Sequence, residues 1–256
     1  MRKQRPVWRN RLFLVGLVLI PVLMVTVDGP LSSMVRPIGE AAKPLVDTLA
    51  RAGDSKYSLV PTGIAAILLM LLYLVDPSTI RARLYAWLAG VSGFIFVSVA
   101  LSGILANVIK ILVGRARPRH AEMLDWPDFH PFAGSGSFHS FPSGHANTVF
   151  AIALAVGFLA PPLRRWLLAL AAILGFCRVL QYQHFVSDTL GGALLAIVTT
   201  YWLRDRFARG NIVFRKRVDG GVTLTASGRL FVRLLRRVVR QKGTHAAASI
   251  GRQTAA

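Results

Sequence analysis

Acidic side chains are scarce in this chain: 11 Asp and Glu stand against 31 Lys and Arg in 256 residues. No carboxylate cluster is present to hold a metal, so no resident metal or other cofactor is expected. Cysteine is rarer still. The single Cys177 excludes an intramolecular disulfide and says little about redox compartment. Charged residues of both signs reach only 16%, where a soluble domain of this length carries about 25%. Long apolar runs make up the difference and bring the mean hydropathy to +0.51. That excludes an ordinary water-soluble core and points to an integral membrane protein. The net charge of +20 raises the question of nucleic acid. The basic residues collect at the two ends and in short loops, so no nucleic-acid partner is expected. No internal repeat is visible.

Crossing a bilayer takes about 20 mostly apolar residues, or roughly 17 to 25. Six segments qualify approximately: Leu12 to Val27, Ser58 to Val75, Leu84 to Ile109, His145 to Ala160, Trp166 to Tyr182 and Thr189 to Leu203, the first, fourth and sixth being short spans extended by flanking aromatic and basic residues. The first lacks a small-residue cleavage site before Asp28 and contains Pro21, so it reads as an uncleaved helix rather than a signal peptide. The third is long enough to carry Lys110 beyond the bilayer. With the N-terminus inside, the inner segments hold five, two, two and thirteen Lys or Arg, 22 of the 31. This bias sets the topology, with N- and C-termini cytoplasmic; in a Gram-negative envelope the outer face is then the periplasmic side of the inner membrane. The fold class is therefore all-α, a polytopic six-helix transmembrane bundle over residues 1–209 with a basic cytoplasmic tail over 210–256.

Between the first two spans, Leu31 to Gly53 reads as a periplasmic surface helix, with Val35, Ile38, Ala42, Leu45, Val46 and Leu49 at helical spacing. From Arg119 to Phe141 runs an aromatic loop with Trp126, Phe129, Phe132, Phe138 and Phe141, of a length often tied to function. Its His120, His130 and His139 are too irregularly spaced for a metal site and read as solvated or hydrogen-bonded loop residues. In the tail, Ile212 to Thr225 reads as a hairpin broken at Asp219-Gly220. Ser227 then caps a basic amphipathic helix, expected to bind anionic lipids. His245 to Ala256 is expected to be disordered. The oligomeric state is open.

Three short clusters lie at edges of the apolar runs, and the charge-derived topology puts all three on the outer face. Lys110 and Arg117 are seven apart, on one face if the third helix continues through them to a stop at Pro118. Two cations at the outer edge, where few are expected, suit an anion. Arg115 and Arg119 only add local field. Pro142-Ser143-Gly144-His145 precedes an apolar helix, whose N-terminus binds anions through free N–H groups. Ser143 serves as N-cap, as phosphate donor, or as both, and Gly144 permits close approach. His184 and Asp188 are i and i+4, so on a helix they hydrogen-bond, leaving the other imidazole nitrogen as a nucleophile. Arg178 supplies a further clamp.

Lys110-(six residues)-Arg117-Pro118, Pro142-Ser143-Gly144-His145 and Arg178-(five residues)-His184-(three residues)-Asp188 resemble the three-part signature of the type 2 phosphatidic acid phosphatase superfamily. The resemblance covers about the third to the sixth span. One position departs from it: Cys177 stands where the family commonly has Ser. The resemblance implies that His184 attacks phosphorus to form a phosphohistidine, oriented by Asp188. His145 protonates the leaving oxygen and later activates water. Lys110, Arg117, Ser143, Gly144 and Arg178 hold the phosphoryl oxygens. The expected activity is hydrolysis of a membrane lipid phosphate or pyrophosphate at the periplasmic face. Undecaprenyl pyrophosphate, phosphatidylglycerophosphate, phosphatidate and the lipid A phosphates remain open as substrates. Two alternatives stand beside it: a phosphotransferase that passes the phosphoryl group to another lipid, and a non-catalytic lipid-phosphate transporter or sensor.

Overall fold

The computed structural model describes residues 7–75, 80–121, 128–231 and 233. Nine α-helices account for most of these: α1 (Val7–Thr26), α2 (Asp28–Ala41), α3 (Lys43–Arg51), α4 (Lys56–Val75), α5 (Ile80–Val113), α6 (Pro118–Ala121), α7 (Gly144–Leu159), α8 (Arg164–Leu180) and α9 (Val186–Arg209). All six apolar segments read from the sequence fall on helices, α1, α4, α5, α7, α8 and α9. Among the described residues, three helices are long and apolar enough to cross a membrane, or four if the bent α1–α2 pair is one span. The protein is therefore a multi-pass membrane protein. Of the six helices that carry the apolar segments, α7, with 16 residues, and α8, with 17, are the shortest.

The chain divides into two compact units, residues 1–64 with 92–205, and residues 65–91 with 206–256. In the first, α7 is the central helix. It packs on α8 through Val149, Ala153 and Ala171, and on α5 and α9 through Val99, Ala151 and Ala196. The small residues in these seams let helices approach closely, the usual source of packing energy where lipid removes the hydrophobic drive. A Cβ on Gly192 would collide with the Ser143 carbonyl, so the α9–α7 crossing depends on that glycine. The outward row of α8, with Trp166, Leu170 and Ile173, stays exposed.

The expected surface helix is two helices. Pro44, at the second position of α3, has no N–H to continue the ladder from α2, and the break falls at Ala42 (φ −97°, ψ 15°). Neither helix simply lies on the surface. Val35, Gly39, Val46 and Ala50 are buried, and both helices pack on α8, whereas Ile38 and Leu45 point outward at 59% and 62% exposure. A 68° bend at Val27 joins α1 to α2 and places Asp28 at the start of α2.

The second unit holds the expected hairpin, β1 (Phe214–Lys216) antiparallel to β2 (Val222–Leu224), with Gly220 at φ +81° in its turn. The helix after it starts at Ala226, so Ser227 lies inside it rather than capping it; the first turn closes from Arg229 N–H to Thr225 O. Trp87 stacks on Phe231 at 5.3 Å. Most of the amphipathic helix, and the segment expected to be disordered, lie outside the described residues.

Candidate active site

Each cluster is built by a helix ending or starting. α5 does not continue through Arg117: it stops at Val113, and Gly114 takes the left-handed conformation (φ +60°) that caps a helix, its N–H bonding Lys110 O at 2.8 Å. A Cβ there would strike the His130 backbone. Lys110 and Arg117 therefore do not share a helical face, and Pro118 opens α6 rather than ending α5, as suits a first helical position. They still converge. Lys110, 8% exposed, donates from Nζ to His139 O at 2.9 Å. Arg117 donates to Gly136 O and to both the backbone and side-chain oxygens of Gln183, which neighbours His184.

Ser143 is the N-cap of α7, its Oγ accepting from Ala146 N–H at 3.4 Å. Its own N–H donates to the Asp188 carbonyl at 2.9 Å, joining the second cluster to the third. Gly144 joins it to the first: a Cβ there would stand 3.9 Å from Lys110 Cε. His145 lies against the turn after α3, where a Cβ on Gly53 would approach its Cδ2 to 3.0 Å. The charges of Arg178, Asp54, Lys110 and Arg117 all act on its ring.

The third cluster spans the end of α8, a five-residue turn and the start of α9. Arg178 O accepts from both Gln183 N–H and His184 N–H at 3.2 Å, which fixes the separation of the arginine from the histidine. Arg178 donates to Gln181 Oε1 at 2.5 Å, and Gln181 donates in turn to Asp47 Oδ1 on α3. Arg178 Nε is buried and has no hydrogen-bond partner among the described residues.

His184 precedes α9 instead of sharing it with Asp188, and its expected partner differs. Nδ1 lies 2.8 Å from Ser140 O but 3.7 Å from Asp188 Oδ2. A carbonyl only accepts, so Nδ1 carries the proton and Nε2 keeps its lone pair. Asp188 instead accepts from Phe185 N–H at 2.8 Å, capping α9, and from Ser140 Oγ at 2.5 Å. Ser140 thus links Asp188 to the imidazole. Burial holds the His184 imidazole down to about 3, Lys110 and Arg117 adding to the effect and Asp188 opposing it. The ring stays neutral at physiological pH, as a nitrogen nucleophile must be.

The PAP2 superfamily model matches residues 91–210. A lipid A 1-phosphatase of Rhizobium etli is 31% identical over 220 residues, 83% of this chain and 90% of that protein. A lipid A 1-phosphatase of Rhizobium johnstonii is 33% identical over 207 residues, 77% of this chain and 84% of that protein. The chain belongs to the PAP2 superfamily. It is a phosphoric monoester hydrolase. The fold is also that of a transmembrane PAP2-type phosphatidylglycerolphosphate phosphatase from Bacillus subtilis, with 21% identity and a TM-score of 0.51 over 78% of this chain and 96% of that one.

Sequence reasoning assigned this PAP2 protein's Arg115 only a background field. It is 1% exposed and bridges two buried carboxylates, donating to Asp188 Oδ1 at 2.6 Å and to Asp28 Oδ2 at 2.8 Å. It also donates to Ser187 Oγ at 2.7 Å and lies over the Phe185 ring at 4.3 Å. Removing one member of such a buried ionic set costs about 3–5 kcal/mol, because the others are left uncompensated. Asp28, Ser140 and Ser187 were missed altogether. The available signal was the scarcity of acids: an Asp ending an apolar run needs a cation.

The other PAP2-region residues behave as expected of loop groups. His139 Nε2 bonds Ala133 O at 3.0 Å, His130 pairs with Asp128 at 2.6 Å and stacks on Phe138, and His120 meets Arg119 Nε at 3.1 Å. Phe129 forms a backbone bridge with Arg115, and Phe132 is 72% exposed. Trp126 lies outside the described residues. Cys177, 3% exposed, packs with Val46 and Ala50 of α3 in an apolar cluster, which explains why an apolar thiol is accommodated there.

Proposed function

We propose that the protein hydrolyses the phosphate ester of a membrane lipid at the periplasmic face of a bacterial inner membrane, with the 1-phosphate of lipid A as the favoured substrate. The observation that carries this reading is the neutral His184, its Nδ1–H held by Ser140 O and its Nε2 left for attack within reach of the Lys110 and Arg117 charges. The names of both Rhizobium relatives support the choice of lipid.

In this mechanism His184 Nε2 attacks phosphorus and the bond to the lipid oxygen breaks. His145 gives that oxygen a proton, then takes one from the water that cleaves the phosphohistidine. Asp188 keeps Ser140, and through it His184, in line. Lys110, Arg117, Arg178 and the α7 N-terminus at Ser143 and Gly144 stabilise the equatorial oxygens, the main demand of phosphoryl transfer. The unpartnered Arg178 Nε is a ready donor. No step calls for a metal.

Six crossings, by α1, α4, α5, α7, α8 and α9, with both termini cytoplasmic, complete the proposal. Residues 1–209 form the phosphatase domain and residues 210–256 a basic tail that meets anionic lipids. The Lys and Arg distribution supports this topology. Phosphate release from purified lipid A, phosphatidylglycerophosphate, phosphatidate and undecaprenyl pyrophosphate in detergent tests the reading. Release from lipid A, abolished in His184→Ala, is expected; equal release by that variant would refute the mechanism. A reporter fused after Phe132 should be outside and one after Arg204 inside.

A further inference from the structure

Asp28 lies outside all three motifs, yet it is as deeply buried as Asp188, at 1% exposure. Its carboxylate accepts three hydrogen bonds. Oδ1 accepts from Ser187 N–H at 3.1 Å, and Oδ2 accepts from Arg115 at 2.8 Å and from the Ser187 hydroxyl. The donors come from the chain after α5 and from the first turn of α9, 87 and 159 residues away in sequence.

Charge balance alone does not call for this carboxylate. Asp188 already neutralises Arg115, and burying a second carboxylate carries a further desolvation cost. What Asp28 adds is direction. A guanidinium is a planar fork that favours gripping a single carboxylate with both prongs. Here one amino group goes to Asp28 and the other to Asp188 and Ser187. Without Asp28, the amino group it holds loses that acceptor, and a rotation of the guanidinium brings it toward Asp188, the other carboxylate that Arg115 already touches. That rotation draws the carboxylate away from the Ser140 hydroxyl, and Ser140 O is what holds His184 Nδ1.

We infer that Asp28 is a positioning residue for His184, acting through Arg115, Asp188 and Ser140, so that the bend between α1 and α2 sets the aim of the nucleophile. This rests on the phosphatase reading of the site. It gives the acid of the first bend a part in the reaction without contact with substrate.

The test uses the full chain in detergent, with two readouts: phosphate release from lipid A, and binding of orthovanadate, a phosphate mimic, by calorimetry. Asp28→Asn is expected to lower kcat at least tenfold with KM within twofold, and to weaken vanadate at least fivefold. Asp28→Glu, which keeps the charge, should recover part of both. Asp28→Asn/Arg115→Met should be no worse than Arg115→Met alone, because both act along one path. Wild-type kcat and vanadate affinity in Asp28→Asn, or losses that multiply in the double variant, overturn the inference. Should Asp28→Asn fail to fold, Ser187→Ala removes only the bridging hydroxyl. A threefold loss of kcat is then expected, and an unchanged kcat overturns the inference. Vanadate binding sensitive to Asp28→Asn in a wild-type protein that releases no phosphate would reject the phosphatase reading while leaving the positioning role standing.

Discussion

His184 and Ser140 are joined by a hydrogen bond from the imidazole Nδ1 to a backbone carbonyl at 2.8 Å, while Asp188, four residues along, stands off at 3.7 Å. A main-chain acceptor cannot be removed by mutation, so the tautomer survives loss of the carboxylate. Asp188→Asn is expected to reduce kcat about 10- to 100-fold, as for an outer-shell partner. His184→Ala should abolish turnover. Steady-state phosphate release compares them, and equal losses would mean that Asp188 acts on the ring directly.

His145 as the proton donor predicts a dependence on the leaving group. With a lipid phosphate, His145→Gln should lower kcat by about 10²–10⁴-fold. With p-nitrophenyl phosphate, whose leaving group needs no proton, the loss should shrink to about tenfold or less. Paired assays of both substrates check this; identical losses would assign His145 to binding instead.

The buried His184 also ties stability to pH. Its folded value of about 3 lies below the unfolded value near 6.5. Between these limits the unfolded chain binds a proton that the folded chain does not, so this stabilisation is full above pH 6.5 and lost as pH falls toward 3. Melting in detergent should show the gap between wild type and His184→Gln changing against the wild type from pH 7 to pH 4. A pH-independent gap would contradict it. The acid limb of kcat/KM above pH 5 should belong to another group.

Gly114 at φ +60° sets the path from Lys110 to Arg117. Gly114→Ala adds a left-handed penalty of about 1–2 kcal/mol, and its Cβ meets the His130 backbone. A lower melting temperature is expected, together with a raised KM as the two cations separate. A wild-type KM would show that the turn does not set their spacing.

The helices and the three motifs were legible because both are local: apolar runs report spans, and motif residues lie within a dozen positions of one another. Two local inferences failed for reasons a linear reading misses. Lys110 and Arg117 looked helical together, but one glycine in the left-handed region redirected the chain. His184 and Asp188 looked like a helical pair, but the helix begins between them, and a carbonyl 44 residues away took the imidazole. Arg115, Asp28 and Ser187 were hidden more deeply. Their bonds link positions 72 to 159 residues apart, and a buried ionic network leaves no periodic trace in sequence.

The packing of Cys177 against α3 has a practical consequence. As the chain's one thiol, and 3% exposed, it is shielded from water-borne reagents in the folded protein. A cysteine introduced at Phe132, 72% exposed in the native chain, would then be the site a membrane-impermeant maleimide reaches first. The native sequence is in effect already a single-label background, ready for accessibility mapping without prior removal of its own sulfur.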